Sequence, residues 1–143
     1  MVNAAFVGLG VMGFPMAGHL QVKGHAVTVY NRSGAKAAQW SERFGGRHAA
    51  TPREAAVGAD IVLTCVGNDA DLRSVVLGDA GILAGLAPGA VLVDHTTASA
   101  DVARELFAAC AARGAHFVDA PVSGGQAGAE NGILTIMCGG EPD

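Results

Sequence analysis

With 143 residues, 50% of them hydrophobic and only 15% charged, the chain has the size of one domain with a well-buried interior and too few residues for two ordinary domains. A net charge of -4 argues against non-specific nucleic-acid binding and against attraction to anionic membranes. Cys65, Cys110 and Cys138 are odd in number, far apart and without a C-x-x-C pair, which argues against a disulfide framework or a zinc cluster and for three buried thiols in a reducing cytosol.

The N-terminus carries no basic segment before its apolar run, and no uncharged apolar run reaches membrane-spanning length, so a cytoplasmic location is expected. Residues 4–7 form a short apolar run, expected as a first strand. Gly8, Leu9, Gly10, Val11, Met12 and Gly13 follow it directly as G-x-G-x-x-G, and residues 16–23 are of helix-forming type. A strand, a glycine turn and a helix in that order form the pyrophosphate cradle of a dinucleotide fold. Gly8 suits the tight turn, Gly10 a close approach of backbone to phosphate, and Gly13 the packing of helix on sheet. Pro15 fits if it lies in the first helical turn, where N–H groups have no intrahelical partner.

Further strands are expected at residues 26–30, 47–49, 61–66, 90–94 and 116–119, each apolar enough to be covered on both faces of a parallel sheet. Ser33 is placed to cap a helix over residues 35–44 that ends at Gly45 and Gly46. Thr51, Pro52, Arg53 and Glu54 read as a capping box opening a short helix that closes at Gly58. Ser99 is placed to cap residues 101–113, where Val102, Leu106 and Cys110 form an apolar stripe and Gly114 stops the helix. This alternation implies an α/β, doubly wound parallel sheet of Rossmann type, with ligands at the carboxyl ends of the strands.

Asn31, Arg32 and Ser33 follow the second strand, where NAD sites usually place an acid for the ribose hydroxyls. No carboxylate is then present to repel a 2′-phosphate. Arg32 offers a fork of donors and Ser33 a hydroxyl, which favours NADP over NAD. The competing reading makes Arg32 a solvated surface residue and Ser33 only a helix cap. Thr96 and Thr97 follow the fifth strand and either reach the nicotinamide end or merely start the next helix. Ser123, Gly124 and Gly125 follow the sixth strand and can present a hydroxyl and backbone N–H groups to a substrate carboxylate. The histidines His19, His25, His48, His95 and His116 have no ligand spacing, so structural or surface roles are expected and no metal site follows.

The segment from Asp119 to Gly140, with Ala129, Gly132, Leu134, Met137 and the closing Gly139 and Gly140, resembles the substrate-binding signature of the β-hydroxyacid dehydrogenase family. That family includes 3-hydroxyisobutyrate dehydrogenase, tartronate semialdehyde reductase and the glyoxylate/succinic semialdehyde reductases. The opening from Phe6 to Gly13, and Val93, Asp94, His95, Thr96 and Thr97 in the middle, are similar to the same family. The resemblance implies a cradle at Gly8, Leu9, Gly10, Val11, Met12 and Gly13, adenosine-side contacts at Asn31, Arg32 and Ser33, and a loop contact at Val66 and Gly67. It further implies a nicotinamide-side threonine at Thr97 and substrate anchors at Ser123, Gly124 and Gly125. Gly67 departs from the proline of some NAD-using members. 6-Phosphogluconate dehydrogenase shares Ser-Gly-Gly, but its usual Pro-Ser after the following glycine is here Ile133-Leu134.

The family's general acid/base is a lysine on a long helix beyond this segment, in an all-helical second domain that builds the dimer. Neither Lys23 nor Lys36 matches it, so residues 1–143 are expected to form a dinucleotide-binding domain incomplete at its C-terminal end. Two functions stay open: an oxidoreductase moving a hydride between NADP(H) and a small 3-hydroxy acid or its semialdehyde acid, forming homo-oligomers, and a non-catalytic NADP-binding module. A methyltransferase using S-adenosylmethionine is disfavoured, because such enzymes usually keep an acid where Asn31 and Arg32 stand.

Overall fold

The computed structural model describes residues 1–141, and Pro142 and Asp143 of the expected domain lie outside the described residues. Strands β1 (Asn3–Val7), β2 (Ala26–Tyr30), β3 (Arg47–His48), β4 (Ile61–Thr64), β5 (Val91–Asp94) and β6 (His116–Asp119) form one sheet. Their order is β3-β2-β1-β4-β5-β6, and every pairing is parallel. The chain runs outward from β1 in one direction, returns, and runs outward in the other. The crevice at that reversal is where doubly wound sheets bind ligands.

Helices cover the sheet unequally. α1 (Gly13–Val22) and α2 (Gly34–Phe44) lie on one face, where Ala17, Ala37 and Trp40 pack against Ala4, Phe6, Val27 and Val29. α3 (Pro52–Ala56), α4 (Asp69–Val76), α5 (Ile82–Gly85) and α6 (Ala100–Ala112) cover the other face. There Leu72, Val76, Ile82, Val102 and Leu106 meet Val7, Val62 and Leu92. Only β1 is buried on both faces as expected of all the strands. β4 and β5 alternate buried and half-buried residues, and Ile61 and Leu63 of β4 are only partly covered on the α1 and α2 side.

Beyond β6, β7 (Val122–Ser123) and β8 (Thr135–Ile136) pair antiparallel around α7 (Gly125–Asn131). α7 docks on α1, where His19 Nε2 lies 2.8 Å from the Ala129 carbonyl and 3.1 Å from that of Glu130. An imidazole facing two carbonyl oxygens must donate there, so its proton sits on Nε2. The helix starts follow local chemistry. Thr51 Oγ1 accepts the Glu54 N–H at 3.1 Å, and the Glu54 carboxylate accepts the Ala50 N–H at 3.2 Å. Ser99 Oγ accepts the Val102 N–H at 3.1 Å. Ser33 holds the N-cap position of α2, but its side chain makes no capping bond, so the hydroxyl stays available. Pro15 lies in the first turn of α1, as its missing N–H requires.

Two sequence expectations are corrected. Cys138 is exposed, while Cys65 is half-buried and Cys110 buried; Cys138 follows β8, which pairs with β7 outside the six-stranded sheet. The strand expected over residues 61–66 stops at Thr64, where Cys65 and Val66 turn to form the floor of a cleft.

Candidate coenzyme site

A cleft of about 710 Å³ opens over the carboxyl ends of β1, β2 and β4. Its centre is the turn from β1 into α1. Gly8 has φ +102°, and a Cβ there would run into the Cys65 carbonyl. At Gly13 a Cβ would run into the Gly8 carbonyl and stand 3.1 Å from the Phe6 ring, so this glycine lets α1 sit down on the turn. Gly10 differs: nothing lies within 4 Å of where its Cβ would be, and its φ is not positive. The protein's own packing therefore places no demand for glycine at position 10.

Asn31 fixes this turn from the neighbouring strand. Its Oδ1 accepts the Leu9 N–H at 3.0 Å, and its Nδ2 donates to the Ser33 carbonyl at 3.3 Å. A carboxylate could accept the first bond but not donate the second, which gives a local reason for asparagine. The N–H groups of Gly10, Val11, Met12 and Gly13 make no hydrogen bond within the described residues. Four amides at a helix N-terminus, with open space beside Gly10, suit an anion such as a pyrophosphate.

Arg32 lines the cleft just beyond the end of β2. Here one expectation fails. The segment at positions 31–33 lacks a carboxylate, but α4 supplies one: Arg32 Nη2 and Asp71 Oδ1 are 2.9 Å apart. The partners are 39 positions apart in sequence, so no local pattern announces the pair.

The loops beyond the cleft are braced by a buried polar network. Asp94 Oδ1 accepts the Thr64 hydroxyl at 2.8 Å and the Thr96 N–H at 3.0 Å. Thr96 Oγ1 accepts the Val66 N–H at 3.1 Å, joining the β4 and β5 loops. His95 is buried, and its Nδ1 lies 2.7 Å from the Ala120 carbonyl, so Nδ1 carries the proton and joins the β5 and β6 loops. Burial holds its imidazole below the usual pKa, against the opposing pull of the Ala120 carbonyl and Asp94. Burial first, and then the Asp94 charge on the neighbouring strand, raises the Asp119 carboxyl. Cys65 lines the cleft, but burial and Asp94 push its thiol up to about 11, so it is not a thiolate nucleophile at neutral pH.

Of the residues expected in the site, Gly8, Leu9, Gly10, Val11, Met12 and Gly13 line this cleft together with Asn31, Arg32, Val66 and Gly67. Ser33, Thr97, Ser123, Gly124 and Gly125 are exposed and do not line it. Neither lysine lines it, and Lys36 Nζ sits 5.4 Å from the centre of the Phe14 ring. Among the described residues no cluster of His, Cys, Asp or Glu could hold a metal ion.

The family described as the NAD-binding domain of 6-phosphogluconate dehydrogenase matches residues 3–143. The chain belongs to this family. An uncharacterised oxidoreductase of Shewanella frigidimarina is 67% identical over 141 residues, 99% of this chain and 48% of that protein. A probable mitochondrial 3-hydroxyisobutyrate dehydrogenase-like protein of Arabidopsis thaliana is 46% identical over 138 residues, 96% of this chain and 46% of that protein. The structure of Psf3 in complex with NADP+ and 2-OPP superposes with a TM-score of 0.90 at 34% identity, covering 97% of this chain and 49% of that one. The chain thus spans about half the length of the curated relatives it matches. As a member of this family, it is an NAD-binding domain, built here on a Rossmann-type parallel sheet. Among the described residues no helix is long and apolar enough to cross a membrane.

Proposed function

We propose that this domain binds NADP(H) in the cleft and is the coenzyme-binding part of an oxidoreductase acting on a small 3-hydroxy acid or the corresponding semialdehyde acid. The observation that carries the reading is the set of four unpartnered amides at the start of α1 beside the open space at Gly10. A nicotinamide coenzyme supplies or accepts a hydride when bound. The chain's own residues position and exclude. Gly10, Val11, Met12 and Gly13 hold the pyrophosphate by backbone N–H groups. Arg32 and the free Ser33 hydroxyl favour a 2′-phosphate, by about ten- to a hundredfold if one charge-assisted bond of roughly 1.5–3 kcal/mol forms. Val66, Gly67 and Thr97 stand toward the nicotinamide. Ser123 with the Gly124 and Gly125 amides receives the substrate carboxylate, a role that the exposure of all three suits.

Titration with NADPH and NADH tests the first part. A preference for NADPH that reverses in Arg32→Asp is expected, and an unchanged ratio would refute the 2′-phosphate argument. The second part is read by hydride transfer with small 3-hydroxy acids: Ser123→Ala raises KM while coenzyme affinity stays. A non-catalytic NADP-binding module is the second reading. It is favoured by the position of Lys23 and Lys36, neither of which lines the cleft.

A further inference from the structure

Asp71 is the one acidic side chain that lines the coenzyme cleft among the described residues. It sits in the first turn of α4, but the needs of that helix start are met by its neighbours. Asn68 Oδ1 accepts the Asp71 N–H at 2.8 Å and so caps the helix. Asp69 braces α4 to the start of α6, accepting the Ser99 hydroxyl at 2.6 Å and the Ser99 N–H at 2.9 Å. The Asp71 carboxylate is left to face the cleft, where one oxygen meets Arg32 Nη2 at 2.9 Å.

The other oxygen lies against Gly67. A Cβ at position 67 would stand 2.9 Å from Asp71 Oδ2, so any other residue there would press on this carboxylate. Glycine at 67 thus leaves this oxygen its place on the cleft wall. The Arg32 side chain is 81% exposed and that of Asp71 31%. A pair that exposed adds little to folding stability. Its place matters more, since it bridges the wall carrying β2 to the wall carrying α4 across the adenosine end.

We infer that Asp71 is a specificity-determining residue that competes with the coenzyme 2′-phosphate for Arg32 and so limits the preference for NADP(H) over NAD(H). This rests on the coenzyme reading proposed above. A 2′-phosphate must share or displace the Asp71 carboxylate at the guanidinium, and it meets a like charge nearby. A ribose with a free 2′-hydroxyl meets neither obstacle, and Asp71 can accept a hydrogen bond from it.

The test is titration of the 143-residue chain with NADPH and NADH, for wild type, Asp71→Asn, Arg32→Ala and the double variant, with thermal melting to verify folding. Asp71→Asn should raise NADPH affinity about three- to tenfold, the strength of an exposed ion pair plus a removed like charge. NADH affinity should stay level or fall. In the Arg32→Ala background the NADPH gain should shrink to less than half. An unchanged or lowered NADPH-to-NADH ratio in Asp71→Asn overturns the proposal while leaving the coenzyme reading intact. An equal gain with and without Arg32 overturns the sharing of the guanidinium. Wild-type protein that binds neither coenzyme removes the coenzyme reading and the proposal with it.

Discussion

Gly10 and Gly13 belong to one motif but are required for different reasons, and alanine separates them. At Gly10 the backbone is compatible with any residue and the Cβ position is empty to 4 Å. Alanine there should leave stability level or raise it by up to about 1 kcal/mol, by narrowing the unfolded ensemble. At Gly13 the new Cβ meets the Gly8 carbonyl, a backbone group that cannot swing aside. Overpacking of this kind costs about 1–3 kcal/mol, offset by about 1 kcal/mol of helix preference at most. For a chain of this size 1 kcal/mol is a shift of about 3–5 °C in Tm. Coenzyme binding should respond in the other order. A methyl group between the Gly10 backbone and a bound phosphate should cost about ten- to a hundredfold in affinity, since each 1.4 kcal/mol is about tenfold. The assay is thermal melting beside NADPH fluorescence titration for both variants. Gly10→Ala protein that melts like wild type and still binds NADPH with wild-type affinity would refute the argument that the space at Gly10 is phosphate space.

Asn31→Ala removes the acceptor of the Leu9 N–H and should cost about 1 kcal/mol in chemical denaturation, whereas Asn31→Asp keeps that acceptor and should cost less. Because His95 is held below its usual pKa, the unfolded chain takes up its proton first as pH falls. Its contribution is therefore full above about pH 6.5 and lost below, so stability should drop between pH 7.5 and 5.5 and the drop should lessen in His95→Gln. The raised Asp119 carboxyl acts at lower pH with the opposite sign, stabilising below its unfolded pKa and losing that contribution as pH rises. Thiol alkylation at pH 8 should label exposed Cys138 first and spare Cys65 and Cys110, whose thiols are pushed up to about 11. Rapid labelling of Cys65 in folded protein would contradict its placement on the cleft floor.

Features set by neighbours in sequence were legible, and those set by distant partners were not. The caps at Thr51 and Ser99 work through residues three positions on, so their spacing was informative. The glycine run and the strands beside it follow from apolar runs and one turn. Helix α4 was invisible, because its start at Asp69, Ala70 and Asp71 reads as a polar loop and only Leu72 and Val76 are buried. Helix α5 has 4 residues, too few for a period, and α7 is built largely from glycine, alanine and polar residues. The Arg32–Asp71 pair needed α4 and so was missed with it.

The parallel sheet orders the proposed site parts as a ruler does. Strands stand about 4.8 Å apart, so β6 lies about 14 Å from β1, three steps away through β4 and β5. Ser123, beyond β6, falls outside the cleft over β1, β2 and β4. What keeps these stations in register is a series of single bonds between successive loops. Asn31 ties β2 to β1, Thr96 ties β5 to β4, and His95 ties β5 to β6. Each brace is made within the protein itself, so the loops are set before coenzyme arrives and little ordering cost falls on binding. Asp94 is the hub, because its one oxygen orients both Thr64 and Thr96 and its charge adds to the burial that raises both Cys65 and Asp119. The polar residues buried at the carboxyl ends of β4 and β5 thus frame the loops that carry Val66, Gly67 and Thr97.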